Sequence, residues 1–341
     1  MGMWKEIRQI TIKLIALILP FFVLLPLYCR FFSMYYLDDE YAMYRQQKDY
    51  VTGQLNTDDV VETMAQTGSD DARIVILGDS RTKAGFKPSL LWDGSYNLAL
   101  GGGTPIEGYY SLKEYLQHHE APETVVMAYA PMHYMDVDTL WTRSIYFHTL
   151  SEEDFWDLMA RATEFEDTQN ILIEDYELEY FMYKYYMPNK YATALKKSAF
   201  VMRHEKTSQK YDTMVEFKGY STYGTADQSG DINGEAKVSD FTDSDILTWY
   251  LKETFALCRK QGIRVILEQT PMNETSYGIL TPEFKEHYRS YMYNLSKEYP
   301  DVTIYPDFYC YPNNCFGDAD HLNDHGVEVF DSFLMEKYGD L

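Results

Sequence analysis

The sequence predicts an α/β fold, a three-layer α/β/α sandwich with a central parallel sheet, behind an N-terminal transmembrane helix. Three observations predict it. Short runs of β-forming residues alternate with helical stretches, the pattern of parallel strands joined by crossover helices. The segments after those runs carry Gly, Ser, Asp and His, the residue types that such a sheet gathers at the carboxyl ends of its strands. Ahead of all of them lies one long apolar segment.

That segment comes first in the chain. Lys5, Arg8 and Lys13 precede an uncharged run from Leu14 to Cys29. With Ile10 to Ile12 and Phe31-Phe32 it covers about twenty residues, enough to cross a bilayer. Basic residues before it and Asp38-Asp39-Glu40 after it predict a cytoplasmic N-terminus. Leu27-Tyr28-Cys29 is bulky where signal peptidase or lipoprotein processing needs small residues, which favours an uncleaved signal anchor over a cleaved signal peptide. Pro20 and Pro26 are tolerated in membrane helices. Residues 1–32 are thus expected to be a single-pass anchor in the cell membrane and 33–70 a partly helical juxtamembrane stalk. Residues 71–341 form the domain, and everything beyond about residue 33 is expected outside the cytoplasm.

Within the domain, Ile74 to Leu77 is a continuous apolar run and predicts a buried strand. Tyr96 to Leu100 is the second strand and ends in Gly101-Gly102-Gly103. Ile106 to His118 has helical spacing of Ile106, Tyr109, Tyr110 and Leu116. Val125 to Ala130 is the third strand, closed by Pro131. The alternation then breaks. Residues 137–240 are rich in acidic residues, Tyr and Met, with helix-like stretches at Glu152–Ala160 and Asn170–Tyr186 and an aperiodic Gly/Ser/Thr/Asp loop from Gly219 to Gly234. They are expected to be an insertion that caps the site. A capped helix from Ser244 to Gln261, stopped by Gly262, resumes the pattern. Arg264 to Gln269 is the fourth strand. Thr281-Pro282-Glu283 opens a helix reaching about Tyr299. Val302 to Tyr305 is the fifth strand and Gly326 to Lys337 the closing helix.

Composition narrows the function. With 53 acidic against 30 basic residues and a formal net charge of -23, the chain is a poor partner for nucleic acid or for an anionic membrane surface. An aromatic share of 16 %, including 32 Tyr, suits packing and interfaces first, and sugar or polymer contacts second. Cys258 sits in a helical pattern as a buried thiol. Cys310 and Cys315 are close enough to form a disulfide in an oxidising compartment, where it would brace the loop before Asp318; a free pair is the equal alternative. Their spacing fits no zinc pattern.

The chemistry concentrates after the strands. Gly78-Asp79-Ser80 turns out of strand one and presents a serine, which needs a base, an orienting acid and oxyanion donors to act as a nucleophile. Asp318-Ala319-Asp320-His321 precedes the last helix. A separation of three lets Asp318 reach the imidazole of His321, fix its tautomer and leave the other nitrogen for Ser80. Asp320 is the rival orienter. The glycine run lets substrate approach backbone N–H groups closely, as an oxyanion hole requires. Each piece has a plainer alternative: a simple turn, a flexible connection, a surface histidine. Their convergence on one sheet edge favours catalysis.

The order Gly78-Asp79-Ser80, then Asn97-x-x-x-Gly101-Gly102-x-Thr104, then Asp318-x-x-His321 resembles the SGNH/GDSL hydrolase superfamily, with its flavodoxin-like sandwich. The forms Gly78-Asp79-Ser80-Arg81-Thr82 and His321-Leu322-Asn323-x-x-Gly326 are similar to membrane-anchored members, the DltD proteins of teichoic acid D-alanylation and the alginate-type O-acetyltransferases. The resemblance covers about residues 73–341 apart from the insertion. It implies Ser80 as nucleophile, His321 as base, Asp318 as its orienter, and the Ser80 and Gly102 amides as oxyanion donors. It implies no cofactor and no metal. One departure stands out: the superfamily ends strand three with an oxyanion-hole Asn, whereas this chain has Ala130-Pro131-Met132-His133. DltD-like relatives often lack this Asn too. His133 is a candidate substitute donor, Arg81 either an anchor for an anionic polymer or a partner of Asp79, and Asn323 a further candidate for substrate binding. The implied activity is transfer or hydrolysis of an acetyl or aminoacyl group on a cell-envelope polysaccharide or teichoic-acid-like polymer, with a membrane-bound O-acyltransferase as partner. The alternative is a non-catalytic glycopolymer-binding scaffold of an envelope-modification complex.

Overall fold

A computed structural model describes residues 2–36, 38–55, 71–137, 139–167, 171–182 and 204–341. Helix α1 (Gly2–Tyr36) is continuous. Its described surface mixes Lys5, Glu6, Arg8 and Lys13 with exposed Ile7, Ile10, Leu14, Leu17 and Phe21. Among the described residues no helix is long and apolar enough to cross a membrane, so the expected transmembrane helix is not found there.

The expected stalk is corrected in its first part. Helix α2 (Asp38–Val51) belongs to the domain, with Ala42, Met43, Tyr44, Tyr50 and Val51 in the core. Its two buried glutamines each donate a hydrogen bond: Gln46 Nε2 to Tyr96 Oη at 2.6 Å and Gln47 Nε2 to Ser111 Oγ at 2.5 Å. Residues 56–70, the turn-rich part, lie outside the described residues, as do residues 170 and 183–186 of the expected Asn170–Tyr186 stretch.

The sheet is α/β in the expected sense. β1 (Ile74–Gly78), β2 (Ser95–Asn97), β3 (Thr124–Ala128), β4 (Arg264–Glu268) and β6 (Thr303–Ile304) are parallel, in the order β2-β1-β3-β4-β6. Register is set by alternation. Val75, Leu77, Val125, Met127, Val265 and Leu267 face one core; Ile74, Ile76, Val126, Ala128 and Ile266 face the other. The short helix α3 (Ser80–Gly85) follows β1 and α4 (Pro105–His118) follows the glycine run. In the insertion, α5 (Glu152–Glu164), α6 (Tyr176–Phe181) and α7 (His204–Glu216) surround a second aromatic core with α2. Helix α8 (Asp245–Gln261), closed by Gly262 at φ 73°, leads into β4. After β5 (Met272–Asn273) come α9 (Glu274–Ile279) and α10 (Pro282–Glu298), which is capped by Thr281. β5 pairs with β7 (Cys310–Tyr311) in a small second sheet that the sequence does not announce. Helix α11 (Asp324–Tyr338) closes the chain. Residues of α4, α8 and α10 cover the first face, and Phe86 with residues of α11 the second. Cys310 and Cys315 are free thiols, one exposed and one buried, so no bridge braces the Asp318 loop.

Because β1 has β2 on one side and β3 on the other, the order in which strands are added reverses between β1 and β3. The crevice outside their carboxyl ends is where doubly wound sheets place ligands. The segments after β1 and β3 open there, with Ser80 on one and His133 on the other.

Candidate active site

The turn holding Ser80 is fixed from both sides. A side chain at Gly78 would collide with the Ala128 carbonyl and with Thr82, so only glycine lets β1 end this close to β3. Asp79, extended and fully buried, caps α3: its Oδ1 accepts from the amides of Arg81 at 2.9 Å and Thr82 at 3.1 Å. Its Oδ2 accepts from the Ala130 amide at 2.6 Å, tying the turn to the end of β3. At the far end of α3, Asn97 Nδ2 donates to the carbonyls of Thr82 at 3.0 Å and Phe86 at 2.9 Å. Ser80 therefore stands at the first position of a helix pinned at both ends.

His321 Nε2 lies 2.8 Å from Ser80 Oγ. Its Nδ1 lies 3.0 and 2.9 Å from the two carboxylate oxygens of Asp318. With Nδ1–H donating to the carboxylate, Nε2 is left to accept from the serine hydroxyl. Asp318 Oδ1 also accepts from the amides of Asp320 at 2.8 Å and His321 at 2.7 Å, which sets its carboxylate within its own loop. Burial alone would raise the Asp318 carboxyl; the hydrogen bond and charge of His321 and the two amides outweigh it and hold the carboxyl below its ordinary range. Asp320 points elsewhere, to Arg81. The structure thus brings Ser80, His321 and Asp318 into one chain of hydrogen bonds.

The glycine run lies beside the end of β1. Leu100 donates its amide to the Gly78 carbonyl at 3.0 Å, and a Cβ on Gly103 would sit 2.7 Å from that same oxygen. Gly102 has φ 72°, a left-handed conformation that glycine adopts freely, and a side chain there would strike Thr139 and Arg143. The insertion grips this turn: Thr139 Oγ1 donates to the Gly102 carbonyl at 2.9 Å and Arg143 Nη1 to the Gly101 carbonyl at 2.8 Å. Tyr44 of α2 donates to Gly101 as well, at 3.0 Å.

Two of the candidate binding residues, Arg81 and Asn323, are engaged within the protein. Arg81 neither faces outward nor pairs with Asp79, whose oxygens are taken by amides. Its Nη2 donates to Glu235 Oε2 at 2.7 Å and Asp320 Oδ1 at 2.5 Å, with its side chain only 9 % exposed. Asn323 is an N-cap: its Oδ1 accepts from the Gly326 amide at 2.9 Å, and its Nδ2 donates to the carbonyls of Asp227 at 2.9 Å and Asn314 at 3.0 Å. It is a structural residue with both ends occupied. His133, on a single 3-10 turn after β3, points its Nε2 toward Asp79 Oδ2 at 3.6 Å, too far for a hydrogen bond. Among the described residues no cluster of His, Cys, Asp and Glu is arranged to hold a metal ion.

Sequence inspection misses Tyr223, Glu235 and Met43. Tyr223 stacks on the His321 ring with centroids 4.8 Å apart, and its hydroxyl donates to Met43 Sδ at 2.9 Å. It reaches the imidazole because Gly224 and Gly317 cross backbone to backbone, where neither has room for a side chain. The aperiodic 219–234 loop carries no repeat that would expose this, and the paired glycines are its only trace. Chemically, the arrangement can deprotonate a serine and return the proton to a leaving oxygen. A comparison of the chain with models of known protein families finds no match, and a comparison with curated proteins finds none either.

Proposed function

We propose that the chain is a membrane-anchored, extracytoplasmic serine acyl-ester enzyme of the SGNH/GDSL type. It acts on a cell-envelope glycopolymer through an acyl-Ser80 intermediate. The observation that carries this proposal is the relay from Asp318 through His321 to Ser80, with contacts of 2.9 and 2.8 Å, beside a glycine turn at the carboxyl edge of a parallel sheet. Ser80 Oγ attacks the carbonyl carbon of an acetyl or aminoacyl donor while His321 Nε2 takes the hydroxyl proton. The Ser80 and Gly102 amides receive the developing oxyanion. Collapse breaks the donor C–O bond, and His321 returns the proton to the leaving oxygen. A polymer hydroxyl then gives its proton to His321, attacks the acyl-serine and releases Ser80 protonated. With water as acceptor, the same steps hydrolyse the ester.

The anchor is proposed on the uncharged apolar run from Leu14 to Cys29 in the sequence. A membrane-bound O-acyltransferase is the proposed acyl source. The test uses the full chain in detergent with an activated acetyl ester. The expected result is an acetyl adduct on the Ser80 peptide by mass spectrometry and ester turnover. Both are lost in Ser80→Ala, a fall on the order of a thousandfold or more. Equal turnover and no adduct in both proteins would leave the scaffold role in its place. Polymer acylation in cells that persists in Ser80→Ala and His321→Ala at normal protein level would do the same.

A further inference from the structure

We propose that Arg81, clamped between Glu235 of the insertion and Asp320 of the histidine loop, is a positioning residue that sets the Ser80–His321 contact. The inference rests on the acyl-serine function proposed above and extends it to the insertion.

Arg81 is the residue after Ser80, and Asp320 is the residue before His321. One guanidinium nitrogen, Nη2, bonds both Glu235 Oε2 at 2.7 Å and Asp320 Oδ1 at 2.5 Å. The nucleophile turn and the base loop, 239 residues apart at this contact, are therefore joined one residue away from the reacting atoms on each side. The base loop needs such a tether. Residues 317–321 have no regular secondary structure, and the Asp318 side chain is 42 % exposed. From outside the loop, Asn273 Nδ2 holds the Ala319 carbonyl at 2.8 Å, and Arg81 holds Asp320.

Glu235 makes the clamp obligatory. Its carboxylate is fully buried, and Oε1 has no hydrogen-bond partner. A buried charge left so is costly unless paired, and the guanidinium supplies that pairing. For Arg81, burial acts to lower its pKa, but Glu235, Asp320 and Asp79 together raise it further above its ordinary value, so the charge is permanent. Displacing catalytic groups by about 1 Å costs on the order of a hundredfold in rate.

The experiment measures the second-order rate at which a fluorophosphonate labels Ser80 in the full chain in detergent. Ser80 Oγ bonds to phosphorus, fluoride leaves, and His321 takes the serine proton. Wild type, Asp320→Ala, Asp320→Asn and Glu235→Ala are compared at a temperature where thermal melts show each fully folded. The expected outcome is labelling about ten- to a hundredfold slower in Asp320→Ala and Glu235→Ala. Asp320→Asn, which keeps an acceptor oxygen for Arg81, should stay within about threefold of wild type, a rescue that general destabilisation does not produce. If Glu235→Ala does not fold, the partly exposed Asp320 decides. Labelling of Asp320→Ala at the wild-type rate, or equal slowing in Asp320→Asn, overturns the clamp while leaving the acyl-serine function intact. Failure of wild type to label at Ser80 overturns both.

Discussion

Asp318 uses its carboxylate twice, once on the His321 ring and once on two amides of its own loop. Asp318→Asn keeps the shape but offers an amide where a carboxylate accepts, which favours the wrong imidazole tautomer. Ester turnover should fall on the order of a thousand- to ten-thousandfold, measured with the same activated acetyl ester. The depressed Asp318 carboxyl also stabilises the fold. That contribution is present above the ordinary carboxyl range and is lost as pH falls through the lowered folded value, so the variant should show a shallower loss of stability in acid. The Asp318–His321 pair was legible because its members are three residues apart and meet within one loop. The Arg81–Glu235 pair was not, because 154 residues separate them and Glu235 lies on a turn without periodicity.

At the scale of elements, strands β1, β3 and β4 were legible because each is built on a continuous apolar run, Ile74–Leu77, Val125–Ala128 and Val265–Leu267. The β5–β7 pair has two residues a side, too few for any pattern. Helix α2 was misplaced because Asp38-Asp39-Glu40 and Gln46-Gln47 look like solvent-facing chain. Burial of those glutamines depends on acceptors contributed by β2 and α4, which no local pattern reveals. Asn323 caps α11 rather than facing substrate, so Asn323→Ala should cost about 1–2 kcal/mol of stability by chemical denaturation. Its Ser80 labelling rate, taken on folded protein, should match wild type; a selective loss of labelling would restore a role in the site.

At the scale of the molecule, two buried ionisable groups pull stability in opposite directions with pH. Lys83, fully buried on α3 with no partner for Nζ, is pushed down to about 7 by burial. The unfolded amine titrates near 10.4, so between about 7 and 10 the unfolded chain holds more protons and stability rises with pH. Asp331 on α11 is pushed up to about 8 by burial, against the opposing hydrogen bond from the Lys87 amide and the Lys87 charge, so its folded carboxyl holds a proton that the unfolded one has lost. Its contribution is fully present below the ordinary carboxyl range and is lost as pH rises through about 8. Denaturation across pH should show Lys83→Met removing the alkaline rise and Asp331→Asn removing the fall toward pH 8. Unchanged profiles would mean that neither group titrates as its surroundings require. Neither group carries a signal in the sequence, since burial on these short contacts is decided by which helices cover the second face of the sheet.

Met43 has a practical consequence for dissecting the chain. Its sulfur accepts from the Gly101 amide at 3.1 Å and from the Tyr223 hydroxyl at 2.9 Å, so a side chain from α2 sits between the glycine turn and the tyrosine stacked on His321. The boundary at residue 71 that composition suggests cuts away that sulfur, the Tyr44 hydroxyl on the Gly101 carbonyl, and the face of α2 that closes the second core. A trimmed version that preserves the catalytic neighbourhood has to begin no later than Asp38, where α2 starts.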